Sequence, residues 1–163
     1  MRWWRWLIAV AGALLVLSFV GLSAAAGWFY WDRVQTRGEE AARAIVPQLA
    51  AKEIPEVFAY DYQTVERSLS AAYPLLTPDY RQEFQKSANA QIIPEAKKRE
   101  VVVQANVVGV GVMSAKRDSA SVMVYLNRTV TDKSRQPLYD GSRLRVDFKK
   151  IGDKWLIAYI TPI

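Results

Sequence analysis

Few residues in this chain have the types that chemistry needs. Tyr60-Asp61-Tyr62 groups one carboxylate with two phenols, and Asp79 and Glu83 stand about one helical turn apart. A carboxylate beside tyrosines has the right type for a general base. The structural reading of the same residues is simpler, and we prefer it. Asp61 would accept from the exposed backbone N–H groups that open the next helix, while the tyrosines pack. Asp79 falls in a first helical turn, where negative charge offsets the helix dipole.

The rest of the inventory is defined by what is missing. In 163 residues there is no Cys and no His. That excludes disulfides, Cys or His metal ligands, thiol nucleophiles and Ser-His-Asp chemistry. Gly109-Val110-Gly111 lies inside a strand pattern and lacks the third glycine and the following helix of a phosphate loop. No catalytic residue, cofactor or metal is expected, and no enzyme activity. The net charge of +6 is spread thinly, its densest basic cluster being Lys97-Lys98-Arg99. Nucleic-acid binding asks for a broader basic stripe with aromatics between, so no nucleic-acid partner is expected.

The elements that must position these residues read as helices first and strands afterwards. In the stretch from Asp32 to Glu53, Ala42, Ile45, Val46 and Leu49 fall on one helical face. Pro47 is expected to kink or restart that helix and Pro55 to end it. Val65, Leu69, Ala72, Tyr73 and Leu76 mark a second helix. Thr77-Pro78 reads as an N-cap followed by proline at the first helical position. Tyr80, Phe84 and Ala88 then form the stripe of a third helix, interrupted near its end by Pro94.

From Val101 the period changes to two. Val101–Met113 is a β-branched run with a bend or bulge expected at Gly109 and Gly111. Ser119–Val130 and the segment holding Leu144, Val146 and Phe148 alternate as half-buried strands. Ile151-Gly152-Asp153-Lys154 is a hairpin turn into a last strand, whose inward face is read as Trp155, Ile157 and Tyr159. This order predicts an α+β fold, helices packed on one face of a four-stranded antiparallel sheet.

The N-terminus carries a different signal. Leu7 to Trp31 is a run of 25 residues without a charge. As a helix at about 1.5 Å per residue it spans roughly 37 Å, enough for a hydrocarbon core of about 30 Å. Trp3, Trp4 and Trp6 precede it, and Trp28 to Trp31 close it as a second aromatic belt. Arg2 and Arg5 on the short side place the N-terminus inside and the remainder outside the cytoplasmic membrane. Ala24-Ala25-Ala26 fits a signal-peptide cleavage pattern, but the apolar run exceeds a usual h-region, so an uncleaved anchor is expected. Gly21/Ala25 and Ser23/Gly27 are small-residue pairs four apart, which let a partner membrane helix approach. The organisation expected is a short tail at 1–6, a membrane helix at 7–31, a stalk or first helix at 32–56 and an extracytoplasmic domain at 57–163.

Taken in order, these motifs resemble the Mce-associated membrane proteins, accessory to the mammalian-cell-entry (Mce) lipid-transport systems of actinobacteria. The match runs through Tyr60-Asp61-Tyr62 with Thr64, Leu76-Thr77-Pro78-Asp79-Tyr80 with Phe84, Pro94, Gly111-Val112, Tyr125-Leu126-Asn127, and Trp155-Leu156-Ile157 before Pro162. The resemblance implies a cystatin-like or nuclear-transport-factor-2-like cone, and a non-enzymatic subunit that stabilises or organises an Mce-type complex. Its implied partners are subunits of that complex and membrane lipids. Two alternatives go with the cone: a domain that binds or acts on an apolar ligand, and a scaffold of the type IV secretion kind. Tyr60, Asp61, Tyr62, Thr77 and Trp155 are the expected structural or interaction residues.

Overall fold

The computed structural model describes residues 3–163; side-chain surroundings at positions 4–11, 13, 15–17 and 24 are outside the described set. Helix α1 covers Trp3–Phe58. The chain divides into two compact units, Met1–Arg37 and Gly38–Ile163. In the first unit, Phe19, Val20, Leu22 and Trp28 to Trp31 are all exposed. Among the described residues no helix is long and apolar enough to cross a membrane. The anchor expected at 7–31 falls in part on positions whose side-chain surroundings are outside the described set, and Arg2 lies outside the described residues.

The second unit begins upstream of the boundary expected at 57. Its helical part, from Gly38 to Phe58, buries Ala42, Val46, Ala50, Ile54 and Val57 along one face. These residues sit in the same core as Val122, Val124, Leu126, Val146, Phe148 and Ile157 of the sheet. Full burial of each Val, Leu, Ile or Phe side chain in this core is worth about 1.5–3 kcal/mol. Ile45, expected on this face, is exposed instead, because the buried positions step by four from Ala42 to Ile54 and pass it by. Pro47 and Pro55 both lie inside α1, so the helix does not restart at the first or end at the second. Pro55 accepts at its carbonyl from the Ala59 N–H at 2.8 Å, carrying the helix one turn past it. Burial on both sides of each proline outweighs the one backbone donor it removes.

After α1 come β1 (Tyr60–Asp61), α2 (Val65–Ala72), a 3-10 turn (Tyr73–Leu75), α3 (Pro78–Ser87), a π-helical turn (Ala88–Ile92) and α4 (Ile93–Arg99). Pro94 has no N–H for the carbonyl one turn back, and the helix widens by a π turn ahead of it. Val65, Leu69, Ala88, Ala96, Val101 and Val103 form a second, smaller core under these short helices. The Lys97–Glu66 ion pair, at 2.6 Å, ties α4 to α2.

Strands β2 (Val102–Ala115), β3 (Ser119–Thr131), β4 (Leu138–Ile151) and β5 (Lys154–Pro162) follow. The sheet has five strands rather than four, in the order β1-β2-β3-β4-β5, every pair antiparallel. The fifth is β1, two residues paired with Val102 and Val103, too short to show a period. The bulge expected near Gly109 is present between Val107 and Gly109, and a second lies between Val112 and Ser114. The Gly152-Asp153 hairpin forms as read, with Gly152 at a φ of +61° that favours glycine.

Candidate functional site

The short helices and the base of the sheet leave a cleft of about 820 Å³ between them. One wall is the π turn and α4, contributing Ile92, Pro94, Ala96 and Arg99; the other is Tyr60 of β1 with β2 to β4. The floor is apolar through Val101, Val103 and Val130, and Leu138 and Tyr139 stand exposed at the rim. A smaller cavity of about 240 Å³, lined by Val57, Phe58, Leu69 and Phe84, continues inward. Tyr60, Ile92, Val103 and Arg128 border both cavities.

Arg128 is the central polar group. Its Nε donates to Asp140 Oδ2 at 3.0 Å and its Nη2 to the same oxygen. Ser142 Oγ also donates to that oxygen, at 2.9 Å. The guanidinium carbon lies 5.9 Å from the centre of the Phe58 ring, a cation–π placement on the end of α1. At the rim Arg99 donates to Asp132 at 2.9 Å, and that carboxylate also accepts from the Ser134 N–H.

These contacts set the ionisation of the site. The hydrogen bond from Arg128, then that from Ser142, hold Asp140 below the usual carboxylate range. Bonds from Arg99 and Ser134 lower Asp132 to about 2. Burial pushes the Tyr60 phenol up, against the opposing pull of Arg128. Tyr60 therefore keeps its proton and Asp140 stays ionised, so neither is poised for proton transfer near neutral pH. The cleft offers an apolar floor, one phenol and a neutralised Arg–Asp pair. Among the described residues no cluster of acidic side chains is placed to hold a metal ion.

The residues singled out from the sequence do not converge on one point. Tyr60 lines the cleft. Asp61 faces a turn: its Oδ1 accepts from the Gln63 N–H at 2.8 Å and its carbonyl from the Thr64 N–H at 2.9 Å. It orders the approach to α2 but is not the N-cap, a position that Thr64 occupies. Tyr62 packs on the smaller core and accepts from the Gln63 side chain. Thr77 does occupy the N-cap position of α3, buried, yet its hydroxyl makes no capping bond. Its N–H instead donates to the Ile157 carbonyl of β5 at 2.9 Å.

Trp155 is half-buried against the main core, and Ile157 is fully buried. Tyr159 is 46% exposed and does not share their face. The register slips opposite Asp147/Phe148, so that Ile157 and Ile160 face inward while Tyr159 turns out to meet Tyr80, ring centres 5.3 Å apart. In the N-terminal unit Gly21, Ser23, Ala25 and Gly27 are exposed, and a Cβ built on Gly21 or Gly27 would meet nothing within 4 Å. Ser23 donates to the Phe19 carbonyl of its own helix.

Sequence reasoning missed Arg128 and Asp140. They are exact partners only through the β3–β4 register, which sets Arg128 opposite Asp140. The connection between those strands, 132–137, has no fixed short-turn pattern from which to count the register.

No family model matches the chain. It is 27% identical over 158 residues to the outer membrane protein Rv1973 of Mycobacterium tuberculosis, covering 97% of this chain and 99% of that one. A second relative from that organism, Rv1362c, is 27% identical over 154 residues, with 92% of this chain and 70% of the relative covered. Among solved structures, the periplasmic domain of DotI matches with a TM-score of 0.63 at 14% identity, over 74% of this chain and 94% of that one. An IcmL-like type IV secretion protein of Legionella pneumophila gives 0.62 at 12%, over 74% and 93%. VirB8 of Agrobacterium tumefaciens gives 0.54 at 12%, over 68% and 84%. At these identities the likeness is one of fold.

Proposed function

We propose that this chain is a non-enzymatic, single-pass membrane subunit whose domain from Gly38 onward stands outside the cytoplasm and organises an Mce-type lipid-transport complex. The observation that carries this reading is the end-to-end match to a chain named as an outer membrane protein. That match takes in the N-terminal apolar run together with the α+β domain. Three further points support it. The fold is shared with the periplasmic domain of DotI and with an IcmL-like type IV secretion system protein. The exposed apolar band from Phe19 to Trp31 has the character of a surface that lipid covers. The order of motifs resembles the Mce-associated proteins. Anchorage at the cytoplasmic membrane, N-terminus inside, follows from Arg2, Arg5 and the two aromatic belts.

Purification of the tagged full chain from native membranes tests the assignment. Mce-type subunits are expected to co-purify, and their absence at normal abundance would overturn it. A reporter fused after Ile163 should be active only outside the cytoplasm. Recovery of the chain in outer-membrane fractions, free of the cytoplasmic membrane, would move the anchor to the membrane that the relative's name describes.

The cleft favours a second reading, the binding of an apolar ligand with a small polar head. Its floor is apolar and Arg128 and Tyr60 stand where a head group would rest. A fluorescent fatty acid should bind the full chain, and an Ala90→Trp variant, which puts a ring into the cleft from an exposed position, should lose that binding; undiminished binding in the variant would overturn this reading.

A further inference from the structure

One end of the sheet gathers positive charge that its own carboxylates do not neutralise. The turn from β2 to β3 carries Lys116, Arg117 and Asp118, and the β4–β5 hairpin carries Lys149, Lys150, Asp153 and Lys154. Strand pairing brings these two connections together. Lys149 stands opposite Ser119, and the Lys150 N–H donates to the Asp118 carbonyl at 2.7 Å. All five basic side chains are exposed. Among the described residues none of them makes an ion pair, either with Asp118 and Asp153 or with Glu39 and Glu40 on the adjoining turn of α1. Around the cleft and α4 the pattern is the reverse: Lys97, Arg99, Arg128 and Lys133 are each paired with a carboxylate.

An apolar side chain stands among these charges. Ile151, at the hairpin, is 44% exposed. It follows Lys149 and Lys150 directly and pairs with Lys154 across the turn. An aliphatic tip flanked by lysines suits a lipid headgroup layer, where the tip finds apolar surroundings and the cations meet phosphate. The chain also limits how far this end can stray from a bilayer. Gly38 of α1 packs directly on Arg117. It lies seven residues beyond Trp31, where the uncharged run closes. At no more than about 3.6 Å per residue, that length of chain keeps Gly38 within about 25 Å of Trp31.

We propose that this end of the domain docks on anionic phospholipid headgroups of the bilayer that holds the N-terminal run. Resting on the membrane anchorage proposed above, the docking is an intramolecular step. A short tether keeps the local concentration of headgroups high, so a surface of this size suffices. Membrane attachment by one weak signal is reversible, and a second signal on the same chain makes it stable.

Lipid fits this end better than an acidic protein for two reasons. The exposed Ile151 has no use for a purely charged partner, whereas a headgroup layer receives both the cations and the aliphatic tip. The tether also holds lipid, and not any one protein, beside the basic end at all times. Docking leaves the cleft free, because Val130 and Leu138, which line it, stand at the other ends of β3 and β4.

The absence of native cysteine makes the test clean, since Ile151→Cys gives a single site for an environment-sensitive fluorophore. The labelled full chain is reconstituted into nanodiscs of phosphatidylcholine, with or without phosphatidylglycerol. Quenching by neutral acrylamide should fall at least about threefold in the anionic discs and recover in about 1 M salt, where charges are screened beyond about 3 Å. Equal quenching in the two kinds of disc would overturn the docking. A label at Gln136→Cys, in the exposed connection between β3 and β4, should not respond, and an equal response there would overturn it too. Adding Lys149→Gln, Lys150→Gln and Lys154→Gln should abolish the protection at Ile151→Cys with the unfolding temperature unchanged. Protection retained in full would again overturn the docking. A chain that elutes apart from the discs would overturn the anchorage itself, whereas one that co-elutes without protection overturns the docking alone. Protection in native membranes but not in anionic discs would assign this end to an acidic protein, against lipid.

Discussion

Arg128 and Asp140 face each other directly across β3 and β4, and the Arg128 guanidinium lies over the Phe58 ring at the end of α1. One side chain thus fastens the first helix to two strands beside the cleft. The pair is half-buried, which gives it more weight than a surface ion pair and makes breaking it worse than never having it. Arg128→Ala removes both the stacking and the bond, and leaves Asp140 without its main donor.

The pH dependence of that pair has a definite sign. Asp140 is held below the usual carboxylate range in the folded state, so its stabilising contribution is present above the unfolded value and is lost as pH falls through the folded one. Asp140→Asn should lower the unfolding temperature at neutral pH and converge with the parent in acid. Parallel curves down to the most acidic pH would show that the pair is not a source of stability.

Glu53 has the opposite sign. It is buried on α1 with Oε2 unpartnered, and burial, aided by Glu56, pushes its carboxyl up to about 7. The folded state therefore holds this proton more tightly than the unfolded chain. Its contribution is full below about pH 4.5 and is lost as pH rises through about 7. Glu53→Gln should raise stability at pH 8 and flatten the slope of stability between those two values. An unchanged slope would place the ionisation elsewhere.

Gly38 inverts an ordinary helix rule. Gly→Ala in a helix interior usually stabilises by up to about 1 kcal/mol. Here a Cβ at Gly38 would come within 2.7–2.8 Å of Arg117 Cγ and Cβ, at the turn between β2 and β3. Arg117 would have to shift from near its own backbone. Gly38→Ala is expected to destabilise, measured by thermal unfolding, whereas a gain would mean that the helix and turn separate readily.

The strands were legible because burial on one face forces period-two alternation, and the α+β order followed from where that alternation begins. Three features were not legible. β1 is too short to carry a period. The continuation of α1 past Pro47 and Pro55 depends on a buried face that packs in one core with strands late in the chain. The outward turn of Tyr159 arises from a bulge whose register depends on β4. The cleft was harder still, since Arg128 gains its meaning only from Asp140 across the sheet and Phe58 on another element. Tyr60 was found by its type, and the fold places it on the wall of the cleft.

The β5 bulge makes a comparative prediction. Ile157 is fully buried and Trp155 is half-buried. Truncating a buried Ile costs about 2–5 kcal/mol, and a fully buried Trp about 3–5. With part of its surface already in water, Trp155→Ala should cost about 2 kcal/mol, less than Ile157→Ala measured by chemical denaturation. Tyr159→Ala should cost least of the three. A larger loss at Trp155 than at Ile157 would mean that the tryptophan is covered by a partner in the state being measured.

Asp61 separates an organising subunit from an enzyme. Its carboxylate accepts the Gln63 N–H and so orders the turn from β1 into α2. Asn offers the same acceptor, so Asp61→Asn should keep the turn, the stability and the function. Asp61→Ala removes the acceptor and should cost about 0.5–1.5 kcal/mol, the net worth of one such bond. A general base behaves otherwise, because neither Asn nor Ala takes up a proton near neutral pH and both would abolish turnover alike. Lipid uptake by cells carrying each variant, with protein abundance measured alongside, distinguishes the two. Uptake should follow abundance: normal for Asn, reduced for Ala only as far as the protein itself is reduced. Loss of uptake in Asp61→Asn at normal abundance and with normal partner binding would count against the organising role and for chemistry at this carboxylate.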